Sequence, residues 1–375
     1  MALKPMIIEK GIIQPSFGKS ERIFRTSFFS AGVLDDKGCP IRQSRTVIME
    51  QDVLSPSRIN LSKTAIKYID DDAIYFGRPQ NHFGHTLVGT MAVAYILLNS
   101  DYKNHKIVFI DEEPSEPTLT LLGYLGVNRN NVITIKEYIQ LKSVVVVKQS
   151  FSATWMPRNG KGPYRISEEF IDTFRAIAKK FYKEDGDYPD KVYFSRSKLH
   201  PFLTLMNENK IERVFEQNGY KIFYPEQLPL EEQIKLVANA NFYACIAGTL
   251  EHHSLFMKDG ATLIVMTRGK KPVYRQVYIN KMQKAIKHIY LRTNVQPLGE
   301  KGFRGILGAT KDLIDFFDNN KFVYDAQELK PKFQDLINYI EWHFSNEQKR
   351  TEKNLKKIFK KLITHNKNFW KQING

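Results

Sequence analysis

Three short stretches carry residue types that could handle an anion, a hydroxyl or a proton. The first is Ser195-Arg196-Ser197-Lys198, two cations interleaved with two hydroxyls. A phosphate suits that combination, because hydrogen bonds from a guanidinium to an anionic oxygen are shorter and stronger than neutral ones. A solvated loop with incidental charges is the alternative. The second stretch is Ala247-Gly248-Thr249-Leu250-Glu251-His252-His253-Ser254. Gly248 lets the backbone turn sharply. The N–H groups of a helix that starts there, with Thr249 and Ser254 close by, form an anion site. Glu251 can accept from a ribose or sugar hydroxyl. The alternative is a capped helix with surface histidines. The third stretch is Asn81-His82-Phe83-Gly84-His85. A helix start there favours neutral histidine, and neutral imidazole can act as a general base on an alcohol. A capping or core histidine is the alternative.

These stretches need strands and helices to hold them. Apolar runs predict strands over 73–76, 106–110, 132–135 and 144–147, with a helix over 84–98. Nearly continuous apolar strands between helices suggest a parallel sheet covered on both faces. Residues 1–65 are mixed, with short polar segments and some strand. The segment 156–163 is dense in Pro and Gly and reads as a loop. A helix follows over 167–182. Beyond 186 the alternation is regular. Strands are expected at 191–195, 221–224, 242–247 and 262–266, and helices at 207–218, 230–240 and 249–257. That series is the signature of a doubly wound domain. The expected architecture is α/β, with two Rossmann-like domains facing a cleft. Their spans are 1–165 and 166–330, followed by C-terminal helices over 331–375. The first two stretches directly follow strands, where doubly wound folds hold their ligands.

Charge narrows the partners. The 375 residues include 56 Lys or Arg and 40 Asp or Glu, a net charge of +16. The excess points to an anionic partner without saying which. Residues 345–375 hold nine Lys or Arg against two Glu. Leu355, Ile358, Phe359, Leu362, Ile363, Phe369, Trp370 and Ile373 fall on one helical face there, with lysines on the other. Such a basic amphipathic helix over 349–373 either lies on an anionic membrane surface or packs back on the first domain. No apolar stretch approaches the roughly 20 residues that span a bilayer, and the first residues lack the apolar core of a signal peptide. The expectation is a cytoplasmic protein, with peripheral attachment to the inner face of the membrane as an option.

Other chemistries find little support. Cys39 and Cys245 make no disulfide framework, and Cys245 sits within an apolar run as a core residue. His82, His85, Glu251, His252 and His253 lack the spacing of a metal motif, so no metal is expected. There is no phosphate-binding P-loop, no dinucleotide glycine fingerprint and no hydrolase nucleophile elbow. No nucleic-acid-binding signature is evident either, so nucleic acid is not an expected partner.

Four pieces in order resemble glycosyltransferase family 61, including its bacterial capsular-polysaccharide members. Asn81-His-Phe-Gly-His85-Thr-Leu resembles that family's N-x-G-H-W-L element. Tyr193-Phe-Ser-Arg196-Ser-Lys198, with Asn207-Glu208 downstream, resembles its arginine-bearing strand exit and N-E pair. Tyr224-Pro-Glu226-Gln-Leu-Pro-Leu-Glu-Glu-Gln233 resembles its P-E-x-L-x-x-x-E-Q element. Ile246-Ala-Gly248-Thr249 with Leu255-Phe256-Met257 resembles its G-x-H-G-A-G and L-F-M elements. Together the pieces cover about residues 75–270.

The resemblance implies a GT-B fold, an inverting mechanism and a nucleotide-sugar donor, usually a UDP-sugar, with no separate cofactor. The acceptor would be a glycan or a lipid-linked saccharide. By this resemblance Arg196, helped by Lys198, holds the diphosphate in the second domain. Gly248, Thr249, His253 and Ser254 complete the donor site. His85 reaches from the first domain as a catalytic residue, with Asn81, His82 and Arg158 as acceptor contacts. The sequence departs from the pattern at two places. The family's common His falls on Ala247, and an acidic residue expected four positions after the first-domain His is Gly89. Glu251 or His252 is therefore a further candidate for catalysis. A transferase of phosphorylated alditols for a teichoic-acid-like polymer, and a non-catalytic nucleic-acid-binding protein, remain alternative readings.

Overall fold

The computed structural model describes residues 3–23, 26–48, 52–153, 164–184, 186–199, 205–268, 274–295, 305–335 and 337–338. Arg158, its loop and the basic tail over 349–373 lie outside the described residues. The chain divides into two compact units, Met1–Lys180 and Phe181–Gly375.

The first unit is built on a nine-stranded sheet. Its strands are β1 (Met6–Glu9), β2 (Ile12–Ile23), β3 (Thr26–Leu34), β4 (Thr46–Ile48), β5 (Asp52–Ser55), β6 (Lys67–Gly77), β7 (Lys106–Ile110), β8 (Val132–Ile135) and β9 (Ile139–Val146). The order is β4-β5-β3-β2-β9-β6-β7-β8, with β1 also paired to β9. The last four strands along that path are parallel. They contain the apolar runs seen in the sequence, and Val108, Ile110, Val144 and Val146 are fully buried. The remainder is largely antiparallel, so the sheet is mixed rather than doubly wound throughout. Antiparallel strands tolerate one wet face and therefore carry polar residues, which hides them in a search for apolar runs. A small ribbon pairs β10 (Phe151–Ala153) with β11 (Tyr164–Ile166).

The helix expected over 84–98 is broken. Helix α1 (Phe83–Val88) stops, and a 3₁₀ segment, Thr90–Leu98, continues after Gly89. A Cβ on Gly89 would lie 2.1 Å from Gln80 Nε2, so a larger residue at the break would displace the end of the Gln80 side chain. Thr90 to Leu97 are all buried. Helices α2 (Glu116–Tyr124) and α3 (Glu168–Ala178) complete this unit.

The second unit matches the sequence reading more closely. Strands β12 (Lys191–Phe194), β13 (Lys221–Phe223), β14 (Phe242–Ile246), β15 (Thr262–Thr267) and β16 (Lys287–Arg292) form one sheet in the order β13-β12-β14-β15-β16. Every pairing is parallel. Helices α4 (Glu208–Gln217) and α5 (Leu230–Asn239) link the first strands. A 3₁₀ segment, Thr249–Phe256, stands where a helix was expected. Beyond it come α6 (Tyr274–Met282), α7 (Lys311–Asn319) and α8 (Ala326–Leu329), with a short pair of β17 (Asn294–Val295) and β18 (Ile306–Leu307). One sheet face packs Tyr193, Ala244, Ile246 and Ile264 against Phe215 and Phe317. Alternate residues, Phe194 and Tyr243, pack edge to face at 5.2 Å. Burying each such aliphatic or phenyl side chain contributes about 1.5–3 kcal/mol. No helix among the described residues is long and apolar enough to cross a membrane.

Candidate functional site

Counted within the second unit, the strand order is 2-1-3-4-5. Connections run one way from the first strand and the other way from the third, so a crevice opens between the carboxyl ends of β12 and β14. Ligands of open α/β sheets bind at that reversal. The loop after β12 carries Arg196 and Lys198, and the loop after β14 carries Gly248. The first two sequence stretches therefore flank one switch point, a relation their separation of about fifty residues conceals.

Two guanidiniums meet at Gly248. A Cβ there would lie 3.3 Å from Arg268 Nη2 and 3.6 Å from Arg196 Nη1. Gly248 has φ +129°, a conformation that side-chain-bearing residues rarely adopt. It thus allows both the turn and the close approach of the arginines. Arg268 directly follows β15, and the sequence reading did not single it out. A cation just past the end of a buried strand was the available signal. Burial lowers the Arg268 guanidinium to about 10, with Arg196 adding repulsion. Burial also lowers Arg196, while Glu208 and Glu226 oppose that change. Arg196 Nε is buried without a hydrogen-bond partner among the described residues. Like charges held together out of water favour an anion between them.

Buried carboxyls support the loop. Glu208 Oε1 accepts from the Arg196 N–H at 3.0 Å and from Tyr193 Oη at 3.4 Å. Burial pushes its carboxyl up to about 7. Ser195 Oγ donates to Glu212, and the Ser197 N–H donates to Ser195 Oγ at 2.9 Å. Arg196 is therefore presented by a braced turn rather than a loose one. Lys198 is exposed and lies 3.7 Å from the centre of the Tyr224 ring, a cation–π contact at the rim.

The 3₁₀ segment is buried along its length. Glu251 is fully buried, and its Oε1 accepts from the Gly248 N–H at 3.2 Å. Burial pushes this carboxyl up to about 8, although the Gly248 N–H and Arg268 act the other way. That shift favours the protonated form, and the contact with the Gly248 N–H braces the turn. His252 Nδ1 is 2.7 Å from Gln276 Oε1. His253, expected at the donor, is buried among core side chains. Its Nε2 meets Gln233 Oε1 at 2.8 Å and its ring packs edge-on to Phe194. Burial lowers it to about 4. Ser254 is likewise buried, and its Oγ accepts from Gln276 at 2.8 Å. Cys245 is fully buried, which pushes its thiol up and away from nucleophilic use.

In the first unit the polar strand exits mostly bind each other. Asn81 Nδ2 donates to Glu113 O at 2.9 Å, and its Oδ1 accepts from the Ser115 N–H at 2.8 Å. Its amide therefore ties the loop after β6 to the loop after β7, while its place as an acceptor contact stays a proposal. Arg78 pairs with Glu112 beside it. His82 is exposed and His85 half-buried, with ring centres 4.7 Å apart. The carbonyl of His82 accepts from the N–H groups of His85 and Thr86, both at 2.8 Å. The helix they open has only six residues, so its dipole is short. Among the described residues, no group of three or more His, Cys, Asp or Glu is placed to hold a metal ion.

Residues 83–265 match the family model Glycosyltransferase 61. The chain resembles that family. The match supports glycosyltransferase activity, with a donor sugar and an acceptor as ligands. It contains His85, Arg196 and the Gly248 segment, and it ends before Arg268. No curated protein matches the chain.

Proposed function

We propose that the chain is an inverting, metal-independent glycosyltransferase with a GT-B arrangement of its two units. It takes a sugar from a nucleotide-sugar donor, a UDP-sugar in our reading. The sugar goes to a hydroxyl of a glycan or lipid-linked saccharide in cell-surface polysaccharide synthesis at the cytoplasmic side of the membrane. One observation carries the donor assignment. Arg196 and Arg268 converge on the Gly248 turn at the switch point of a parallel sheet.

In this reading the acceptor hydroxyl attacks the anomeric carbon in line, the bond to the diphosphate breaks, and negative charge grows on the leaving oxygen. The two guanidiniums and the first N–H groups of Thr249–Phe256 are preorganised for that charge. An imidazole, His85 or His252, removes the hydroxyl proton, a role worth about 10²–10⁴-fold in rate. Glu251 shapes the turn. Lys198 attracts the donor at the rim. The basic tail over 349–373 attaches the enzyme beside a lipid-linked acceptor.

The test is thermal stability against nucleotides and nucleotide sugars, with and without EDTA. At 100 times its dissociation constant, a ligand stabilises by about 2.7 kcal/mol. UDP or a UDP-sugar is expected to stabilise the protein equally in both buffers. A preference for a CMP-linked compound overturns the choice of UDP, and silence towards every nucleotide overturns the donor site. Transfer by His85→Ala and His252→Ala then assigns the base.

A further inference from the structure

The polar contacts of α6 bear on His252. Gln276 is fully buried, and its Oε1 faces His252 Nδ1 at 2.7 Å. Its Nε2 donates to Ser254 Oγ and to Asn280 Oδ1, both at 2.8 Å. Asn280 Nδ2 in turn donates to Tyr290 Oη on β16 at 2.6 Å. Just past the end of α6, Gln283 Nε2 donates to Ser254 O at 2.7 Å. The chain of bonds thus runs from the centre of the sheet's edge strand to the imidazole, with each donor meeting an acceptor.

We propose that Gln276 is a positioning residue that fixes the tautomer of His252, with the proton on Nδ1 and the lone pair on Nε2. A carbonyl oxygen opposite Nδ1 can only accept, so that nitrogen must donate. A ring held this way can only accept at Nε2, whether the donor is a protein group or a ligand hydroxyl. The orientation of His252 is fixed from behind, as the orienting group of a catalytic triad fixes its histidine. Gln276 lies beyond the residues matched by the family model, 83–265. The inference rests on the donor reading for its use, and on the hydrogen-bond chain alone for the tautomer. The competing arrangement is a concerted flip of the Gln276 and Asn280 amides, which would turn an N–H towards Nδ1 and move the proton to Nε2.

Histidine-labelled full-length protein tests this by long-range proton–nitrogen NMR in mildly alkaline buffer. The His252 signals are identified by their loss in His252→Gln. The expected result is a protonated Nδ1 and an unprotonated Nε2. Gln276→Glu keeps the acceptor and is expected to keep the tautomer. Gln276→Met removes it and is expected to move the proton to Nε2. An Nε2–H ring or a doubly protonated ring in the wild type overturns the proposal, and so does a folded Gln276→Met protein with an unchanged tautomer. If Gln276→Met does not fold, the wild type and Gln276→Glu decide. Titration with UDP separates the two readings. A protonated Nδ1 in a protein that does not bind UDP sustains the tautomer and overturns only the donor site. With transfer assayed, Gln276→Met is expected to lose about 10²-fold in kcat with little change in donor KM, and Gln276→Glu to recover most of it.

Discussion

The strand exits of the two units use similar residue types for different ends. In the first unit Asn81, Arg78, Asp111 and Glu113 are engaged by neighbouring loops and strands: Asn81 with Glu113 and Ser115, Arg78 with Glu112, Asp111 with Ser16 of β2 and Glu113 with Thr134 of β8. In the second unit the carboxyls serve the backbone, and two guanidiniums are brought together at a glycine. A polar group already bonded within the protein has little left for a ligand. Like charges gathered at a half-buried turn repel each other and favour an anion beside them. That contrast supports the proposal that the second unit is the donor side.

The sharpest way to break that contrast is to remove the arginines. Arg196→Ala and Arg268→Ala are each expected to weaken UDP binding by about 10–150-fold, the value of a charged hydrogen bond. Arg78→Ala, the corresponding change in the first unit, is expected to leave UDP binding unaltered. Calorimetric titration of the three variants checks this. Equal effects from Arg78 and Arg196 would erase the difference between the units.

The glycines give a second contrast. Gly248→Ala faces a positive φ and two guanidiniums, while Gly89→Ala drives a methyl into Gln80. Both substitutions are expected to cost about 1–3 kcal/mol in stability. Only Gly248→Ala is expected to abolish the stabilisation by UDP as well. Melting curves with and without UDP separate the two outcomes.

How much of this was legible follows the same division. The second unit's strands announce themselves because both faces of β14 and β15 are buried, leaving runs such as Phe242–Ile246 almost wholly apolar. The first unit's β2 and β3 carry polar residues at many positions, so residues 1–65 gave no clear pattern. Arg196 and Gly248 stood out because each follows an apolar strand. Arg268 did so too, but it lay in no recognisable element of the family pattern. The burial of His253 and Ser254 was hidden because a Glu-His-His cluster at a strand exit points to a ligand site. Only α5, through Gln233, and α6, through Gln276, reveal that the segment is enclosed. Gly89 was read as a missing acid, whereas in three dimensions it makes room for Gln80.

Acidity sharpens the comparison further. Glu208 and Glu251 are raised from 4.5 to about 7 and about 8 in the folded protein. Between those limits the native state binds more protons than the unfolded chain, so stability falls as pH rises. The contribution is complete below about pH 4.5 and gone above about 8. The expected outcome is a lower melting temperature at pH 9 than at pH 6, with a smaller drop in Glu251→Gln and the smallest in the double variant with Glu208→Gln. A drop of unchanged size in the double variant would assign the effect elsewhere.

The smallest expected effect concerns the rim. Lys198 is exposed and stacks on Tyr224, so Lys198→Ala removes a contact of about 0.5–1 kcal/mol and one unit of charge near the crevice. Stability should change by less than the glycine variants do. UDP affinity should fall a few-fold at low salt and hardly at all at high salt, because exposed charges are screened over about 8–10 Å near physiological ionic strength. Arg196 and Arg268 are largely shielded from water, and their contribution should persist in salt. A salt titration of UDP binding by the wild type, Lys198→Ala and Arg196→Ala therefore separates attraction at the rim from recognition at the turn. If Lys198→Ala lost as much affinity as Arg196→Ala at every salt concentration, the anion would sit at the Tyr224 edge and not between the guanidiniums at Gly248.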